Sequence, residues 1–127
     1  MQKSRRLAAF ITLASLAIAC SSRDDAAGAP AGVADDGSLT IVATEFAFAP
    51  ADVVVEAGRD IDVLLDNSGG MVEHDWVIDE LSIVIYAAAG QMTEATVNVP
   101  VGVYEVYCSI PGHRAAGMVG TLRAEAT

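Results

Sequence analysis

Near its C-terminal end the sequence reads Tyr107-Cys108-Ser109-Ile110-Pro111-Gly112-His113-Arg114-Ala115-Ala116-Gly117-Met118. Four residues separate Cys108 from His113, and four more separate His113 from Met118. A thiolate, an imidazole and a thioether in one short loop, joined by a second imidazole, make a soft trigonal site with a weak axial sulfur, which suits copper and one-electron transfer. The chain contains 2 His, so His74 is the candidate for the second imidazole. Taken singly, a Cys at a strand end is usually a small buried hydrophobe and a Met is usually core filler. The combination and its spacing are what point to a metal. The expected ligand set is therefore His74, Cys108, His113 and Met118 around one copper ion.

That donor mixture has a physical rationale. Cu(I) prefers soft, low-coordinate surroundings and Cu(II) prefers more nitrogen and oxygen, so two imidazoles, one thiolate and a distant thioether are acceptable to both. Pro111 fixes its own φ and Gly112 tolerates dihedrals that other residues resist, which keeps the turn between the ligands compact. The thiol proton has to leave and each His has to be neutral before it ligates, so copper affinity is expected to fall in acid. Met71 is a poorer-spaced alternative sulfur, expected near the site at best. His113, in the loop, is expected nearest the surface as the electron port, ringed by Ile110, Pro111, Ala115, Ala116 and Met71 as an apolar docking patch.

The elements that must position these residues read as short β-runs broken by turn signals. Candidate strands cover 39–44, 46–49, 53–55, 61–65, 72–78, 93–99, 103–108 and 118–123. Phe46 and Phe48 alternate with Ala47 and Ala49 before Pro50, and Asn67-Ser68-Gly69-Gly70 forms a strong turn signal just ahead of His74. The segment 80–90 is ambiguous: Leu81, Ile83, Val84, Ile85 and Tyr86 favour a strand or covering excursion, while Ala87-Ala88-Ala89 suits a helical turn. No amphipathic helix and no internal repeat is evident. The reading is an all-β, antiparallel sandwich or barrel of seven or eight strands over 38–127, with His74 meeting the 108–118 loop across its open end. Trp76, Tyr104 and Tyr107 are read as core or strand-facing aromatics rather than redox relays.

From Glu45-Phe46-Ala47-Phe48-Ala49-Pro50 through Gly120 the chain resembles the cupredoxins, the type 1 blue copper family of plastocyanin, azurin, auracyanin and the sulfocyanin-like proteins. The resemblance rests on His74-Asp75-Trp76 for the first imidazole, on Tyr104 through Cys108 for the thiolate strand, and on Pro111-Gly112-His113 with Met118 for the loop. It implies a cupredoxin-like Greek-key β-sandwich and one type 1 copper ion held by His74, Cys108, His113 and Met118. One departure stands out: many members carry Asn after the first His, where it helps hold the ligand loop, and this chain carries Asp75. An ionised Asp75 near the thiolate would favour Cu(II) and lower the potential, whereas an outward-facing carboxylate would have little effect.

The N-terminal part has a different character. Lys3, Arg5 and Arg6 precede an uncharged apolar run over 7–19, too short to span a bilayer comfortably, and Cys20 follows directly. This reads as an export signal over 1–19. Leu16-Ala17-Ile18-Ala19-Cys20 resembles a bacterial lipobox with Ala17 where Leu is usual, so lipid attachment at Cys20 is expected; an ordinary cleaved signal is the alternative. Ser4-Arg5-Arg6 leaves both the general and the twin-arginine export routes open. The stretch 20–37, rich in Ala, Gly, Asp and Ser, reads as a lipidated Cys followed by a flexible tether. The expected location is the outer side of a cell membrane, periplasmic or extracellular. With Cys20 acylated, Cys108 has no disulfide partner, and a metal bond protects such an exported lone thiol.

All 17 Asp and Glu lie beyond residue 19, against Arg23, Arg59, Arg114 and Arg123 as the basic residues there. Such an acidic surface excludes nucleic acid as a partner and favours small redox proteins or membrane-bound respiratory or photosynthetic complexes with a basic docking face. A copper enzyme of the multicopper or nitrite-reducing kind needs extra His ligands, and a binuclear purple centre needs two thiolates; neither is supplied here. The expectation is a non-enzymatic electron carrier. The rival reading is a periplasmic or extracellular copper carrier or storage protein.

Overall fold

The computed structural model describes residues 31–33 and 37–127. Within them, runs that alternate apolar and polar residues become strands with one face buried. In Ser38–Thr44 the side chains of Leu39, Ile41 and Ala43 point into the core, and in Asp60–Asp66 those of Ile61, Val63 and Leu65 do the same. Leu122 and Ala124 repeat the pattern in Val119–Glu125.

Ten strands occur among the described residues: β1 (Ala31–Gly32), β2 (Ser38–Thr44), β3 (Ala47–Ala49), β4 (Asp52–Glu56), β5 (Asp60–Asp66), β6 (His74–Ile78), β7 (Ile83–Ala87), β8 (Met92–Asn98), β9 (Gly102–Tyr107) and β10 (Val119–Glu125). They form a six-stranded sheet in the order β1-β4-β10-β9-β6-β7 and a four-stranded sheet in the order β3-β2-β5-β8. The inner faces meet over Trp76, Ile41, Ile61, Leu65, Ile78 and Leu122, all fully buried. The architecture is an all-β Greek-key sandwich.

Three points differ from the sequence reading. The sheets are mixed rather than antiparallel: β1 with β4, β4 with β10, and β2 with β5 run parallel. The cause is topological, since the chain passes from one sheet to the other between β3 and β4 and back again before β5, so neighbours in space come from different hairpins. The strand count exceeds seven or eight because the 80–90 segment resolves into a 3-10 turn, Asp79–Leu81, followed by β7, in which Ala87 is a strand residue rather than part of a helical turn. The added strand β1 lies in the stretch read as a tether. Its two residues pair backbone to backbone with Val53 and Val54, a contact that needs no apolar side chain and leaves no compositional trace. Residues 21–30 and 34–36 of that stretch, the export signal and Cys20 lie outside the described residues.

One buried polar side chain organises the approach to His74. Asn67 is fully buried after β5, and its amide donates to the carbonyls of Val72 (2.8 Å), Ala88 (3.0 Å) and Ala87 (3.2 Å). It thereby ties the loop between β5 and β6 to the end of β7. Gly70 makes this possible, because a Cβ there would lie 1.8 Å from Asn67 Oδ1. We expect Asn67→Ala to lower the unfolding free energy by about 2 kcal/mol, the cost of leaving buried carbonyls without donors. Urea denaturation with an unchanged slope and a lower midpoint would be the readout.

Candidate metal centre

The four expected ligand residues lie at one end of the sandwich, His74 at the start of one strand and the other three in one loop. β6 begins at His74, β9 ends one residue before Cys108, and β10 begins one residue after Met118. The loop between β9 and β10 is closed at its base by hydrogen bonds: Cys108 N–H donates to Met118 C=O at 3.1 Å and Met118 N–H donates to His113 C=O at 3.1 Å. Inside it, His113 N–H donates to Ile110 C=O at 3.0 Å across Pro111-Gly112, and Gly112 has φ +86°. That is a type II turn, in which Pro suits the second position and the third demands positive φ, so the Pro-Gly pair dictates the bend that carries His113 back toward Cys108. Gly117, at φ +104°, makes the second reversal just before Met118.

These turns bring three donors together. Cys108 Sγ lies 3.4 Å from His113 Nδ1 and 3.9 Å from His74 Nδ1, and the three atoms all lie within 4.8 Å of one another. Bonds of roughly 2.0 Å to nitrogen and 2.3 Å to sulfur, set about 120° apart, would separate N and S by about 3.8 Å. The observed separations bracket that value. The donor set, two imidazole nitrogens and one sulfur at ligation spacing, thus matches a single type 1 copper site. It is also the one such His and Cys cluster among the described residues. His74, Cys108 and Met118 are 0 % exposed and His113 is 8 % exposed, so His113 alone of the four reaches solvent. The ring of Phe46 meets His113 edge-on with centroids 4.7 Å apart. Phe46 and Phe48 therefore do not share a face: Phe48 enters the core, while Phe46, in the turn before β3, covers the loop histidine.

Electrostatics follow from burial. Removal from water pushes the Cys108 thiol above its ordinary range. It pushes His74 below the ordinary imidazole range, and neighbouring His113 adds to the effect. Two carboxylates stand close by. Asp75 is buried on β6, accepts the Ser109 backbone N–H at 2.6 Å through Oδ1 and takes the Ser109 hydroxyl on Oδ2. The outward-facing alternative for Asp75 is thereby overturned: the side chain fastens β6 to the residue after Cys108. Glu45, in the turn after β2, accepts the backbone N–H groups of Met71 (2.8 Å) and Val72 (3.3 Å). The Met71 bond is the main influence holding its carboxyl below the usual range.

Other expected residues fall outside the cluster. Met71 is 87 % exposed and serves through its backbone. Trp76 is core. Tyr104 and Tyr107 are half-buried on β9; Tyr107 donates to Asp79 Oδ2 at 2.8 Å and carries the Arg114 guanidinium 4.2 Å above its ring. Glu45, Asn67 and Phe46 had no role assigned at the metal centre from the sequence. All three act through contacts with residues distant in sequence, which spacing alone does not reveal.

A family model for the cupredoxin-like domain matches residues 9–119. The chain belongs to the cupredoxin-like family. Solved structures share its fold. The dithionite-reduced auracyanin of Roseiflexus castenholzii matches 70% of this chain and 97% of its own at 18% identity and a TM-score of 0.61. Auracyanin A, described as a "blue" copper protein from Chloroflexus aurantiacus, matches 70% of this chain and 100% of its own at 20% identity and a TM-score of 0.55. The metal-binding domain of the Cu(I)-exporting P-type ATPase CopA of Streptococcus pneumoniae matches 76% of this chain and 96% of its own at 13% identity and a TM-score of 0.61. No curated protein matches the chain by sequence. At these identities the likenesses to solved structures establish the cupredoxin fold, and the chemistry has to be read from the cluster itself.

Two outcomes follow from the electrostatics. With the Cys108 thiol pushed above its ordinary range, a metal has to displace the thiol proton to bind there. Copper affinity should fall as pH falls, with proton release on binding, and His74, held below the ordinary imidazole range, should compete for protons only in acid. Competition titration with a chelator across pH measures this. Asp75→Asn keeps an acceptor for Ser109 but removes a charge worth on the order of 1 kcal/mol at the metal. The midpoint potential should rise by some 40 mV, roughly, as read by voltammetry.

Proposed function

We propose that this protein is a mononuclear type 1 copper electron carrier whose ligands are His74, Cys108, His113 and Met118. The observation that carries the reading is a lone buried thiol within 4 Å of two imidazole Nδ1 atoms, with all four side chains nearly sealed from water. Copper bound there supplies a one-electron Cu(II)/Cu(I) couple. The chain's own residues do the remainder. Cys108 and His113 are held by the type II turn and by the Cys108–Met118 backbone closure, His74 by the start of β6, and the Asp75–Ser109 bonds join the two halves. Ligands fixed on hydrogen-bonded backbone have little freedom to rearrange between oxidation states, which favours fast transfer. Burial excludes water as an extra ligand.

The copper-carrier reading draws support from the likeness to the CopA domain. Burial weighs against it, because handing over a metal ion requires ligands that an acceptor can reach, and three of the four here have no exposure. His113, the one of the four with any exposure, is the port for electrons. Pro111, Ala115, Ala116, Met71 and Phe46 lie exposed, an apolar rim suited to brief docking of a redox protein or respiratory complex. The export-signal pattern over 1–19 and Cys20 support placement outside the cell membrane, lipid-anchored, with the acidic surface attracting partners that carry a basic face.

Copper-loaded protein should show intense visible absorption from the thiolate, lost on reduction and restored on reoxidation, and the narrow copper hyperfine pattern of a thiolate-bound ion in paramagnetic resonance. Cys108→Ser should abolish the colour. A Cys108→Ser variant with undiminished colour and reversible cycling would refute the assignment.

A further inference from the structure

His74 presents its two ring nitrogens to different surroundings. Nδ1 faces Cys108 Sγ at 3.9 Å. Among the described residues Nε2 is buried without a hydrogen-bond partner, and the charged group beside it is the carboxylate of Glu45, whose Oε1 lies 3.8 Å away. A ring that offers Nδ1 to a metal must carry its proton on Nε2, because a ligating nitrogen needs a free lone pair. A buried N–H without an acceptor is costly, and 3.8 Å exceeds hydrogen-bond range by less than 1 Å. The carboxylate is already fixed in place by Met71 and Val72 N–H, so its approach to the ring is set by backbone rather than by a free side chain.

We propose that Glu45 is the positioning partner of His74: its carboxylate accepts the Nε2–H, locks the ring with Nδ1 turned to the metal, and adds a negative charge behind the ligand. A carboxylate in this position raises the basicity of the imidazole and stabilises the more highly charged metal state. The turn after β2, the loop before β6 and the ligand itself then meet on one side chain. The inference rests on the reading of His74 as a ligand through Nδ1.

The test uses three full-length proteins: wild type, Glu45→Gln and Glu45→Ala. Gln retains an oxygen acceptor for Met71, Val72 and Nε2–H but has no charge, which separates positioning from electrostatics and keeps the loop anchored if the Ala variant folds poorly. In metal-free protein, long-range proton–nitrogen NMR should find His74 protonated at Nε2 in wild type and Glu45→Gln. Its exchange with water should be roughly tenfold faster in Glu45→Ala, as loss of one hydrogen bond of ordinary strength implies. In copper-loaded protein, Glu45→Gln should shift the midpoint potential upward with the visible absorption pattern retained. An Nδ1–H tautomer in wild type, equal exchange in wild type and Glu45→Ala, or an unchanged potential in Glu45→Gln would each overturn the proposal. Wild type that binds copper without thiolate absorption would sink the electron-carrier reading, and the metal-free NMR result would still decide whether Glu45 holds the ring.

Discussion

The metal centre depends on one backbone closure, the hydrogen bond from Cys108 N–H to Met118 C=O. It joins the end of β9 to the start of β10 and turns the intervening residues into a loop of fixed size. Within that span a Pro-Gly bend returns His113 to 3.4 Å from the thiol. Because β9 pairs with both β10 and β6, the same sheet that supports the loop also carries His74. Donor separations are therefore a property of the sheet, and the side chains themselves contribute little freedom. Under the proposed reading, ligands held by sheet and loop backbone limit the rearrangement that accompanies a change of charge.

Much of this was legible in the sequence because the relevant constraints are local. The interval from Cys108 through His113 to Met118 is a loop length, and Pro111-Gly112 specifies a turn type without reference to the rest of the protein. Alternation in 39–44, 61–65 and 93–99 announced strands for the same reason. The obscure parts were those set by tertiary pairing. Parallel neighbours such as β2 and β5 arise from crossings between sheets, and β1 pairs through main-chain atoms of Ala31 and Gly32 that carry no pattern. In 80–90 the run Ala87-Ala88-Ala89 has helical propensity, yet Ala87 faces His74 across a strand pair and its carbonyl takes a bond from Asn67.

Charge near the site illustrates the same division. Asp75 was conspicuous as a neighbour of His74, but only its bonds to Ser109 reveal a carboxylate that laces two ligand-bearing segments together. Glu45 is 29 residues from His74 in sequence and lies in a turn whose composition suggests only a reversal. What places it is the loop of Met71 and Val72 folding back over the end of β2, a contact between segments that Asn67 holds from the other side. Both carboxylates are therefore read from geometry, and both stand beside the proposed metal centre.

Under the proposed electron-carrier reading, the exposure of His113, set against three neighbours with none, has a kinetic consequence. A carrier with a single doorway cannot host its reductant and its oxidant together, so each visit has to end before the next begins. Turnover is then capped by how quickly visitors depart, and tight association would slow the traffic it serves. A narrow rim of small apolar side chains around one ring suits that demand better than a broad interlocking surface.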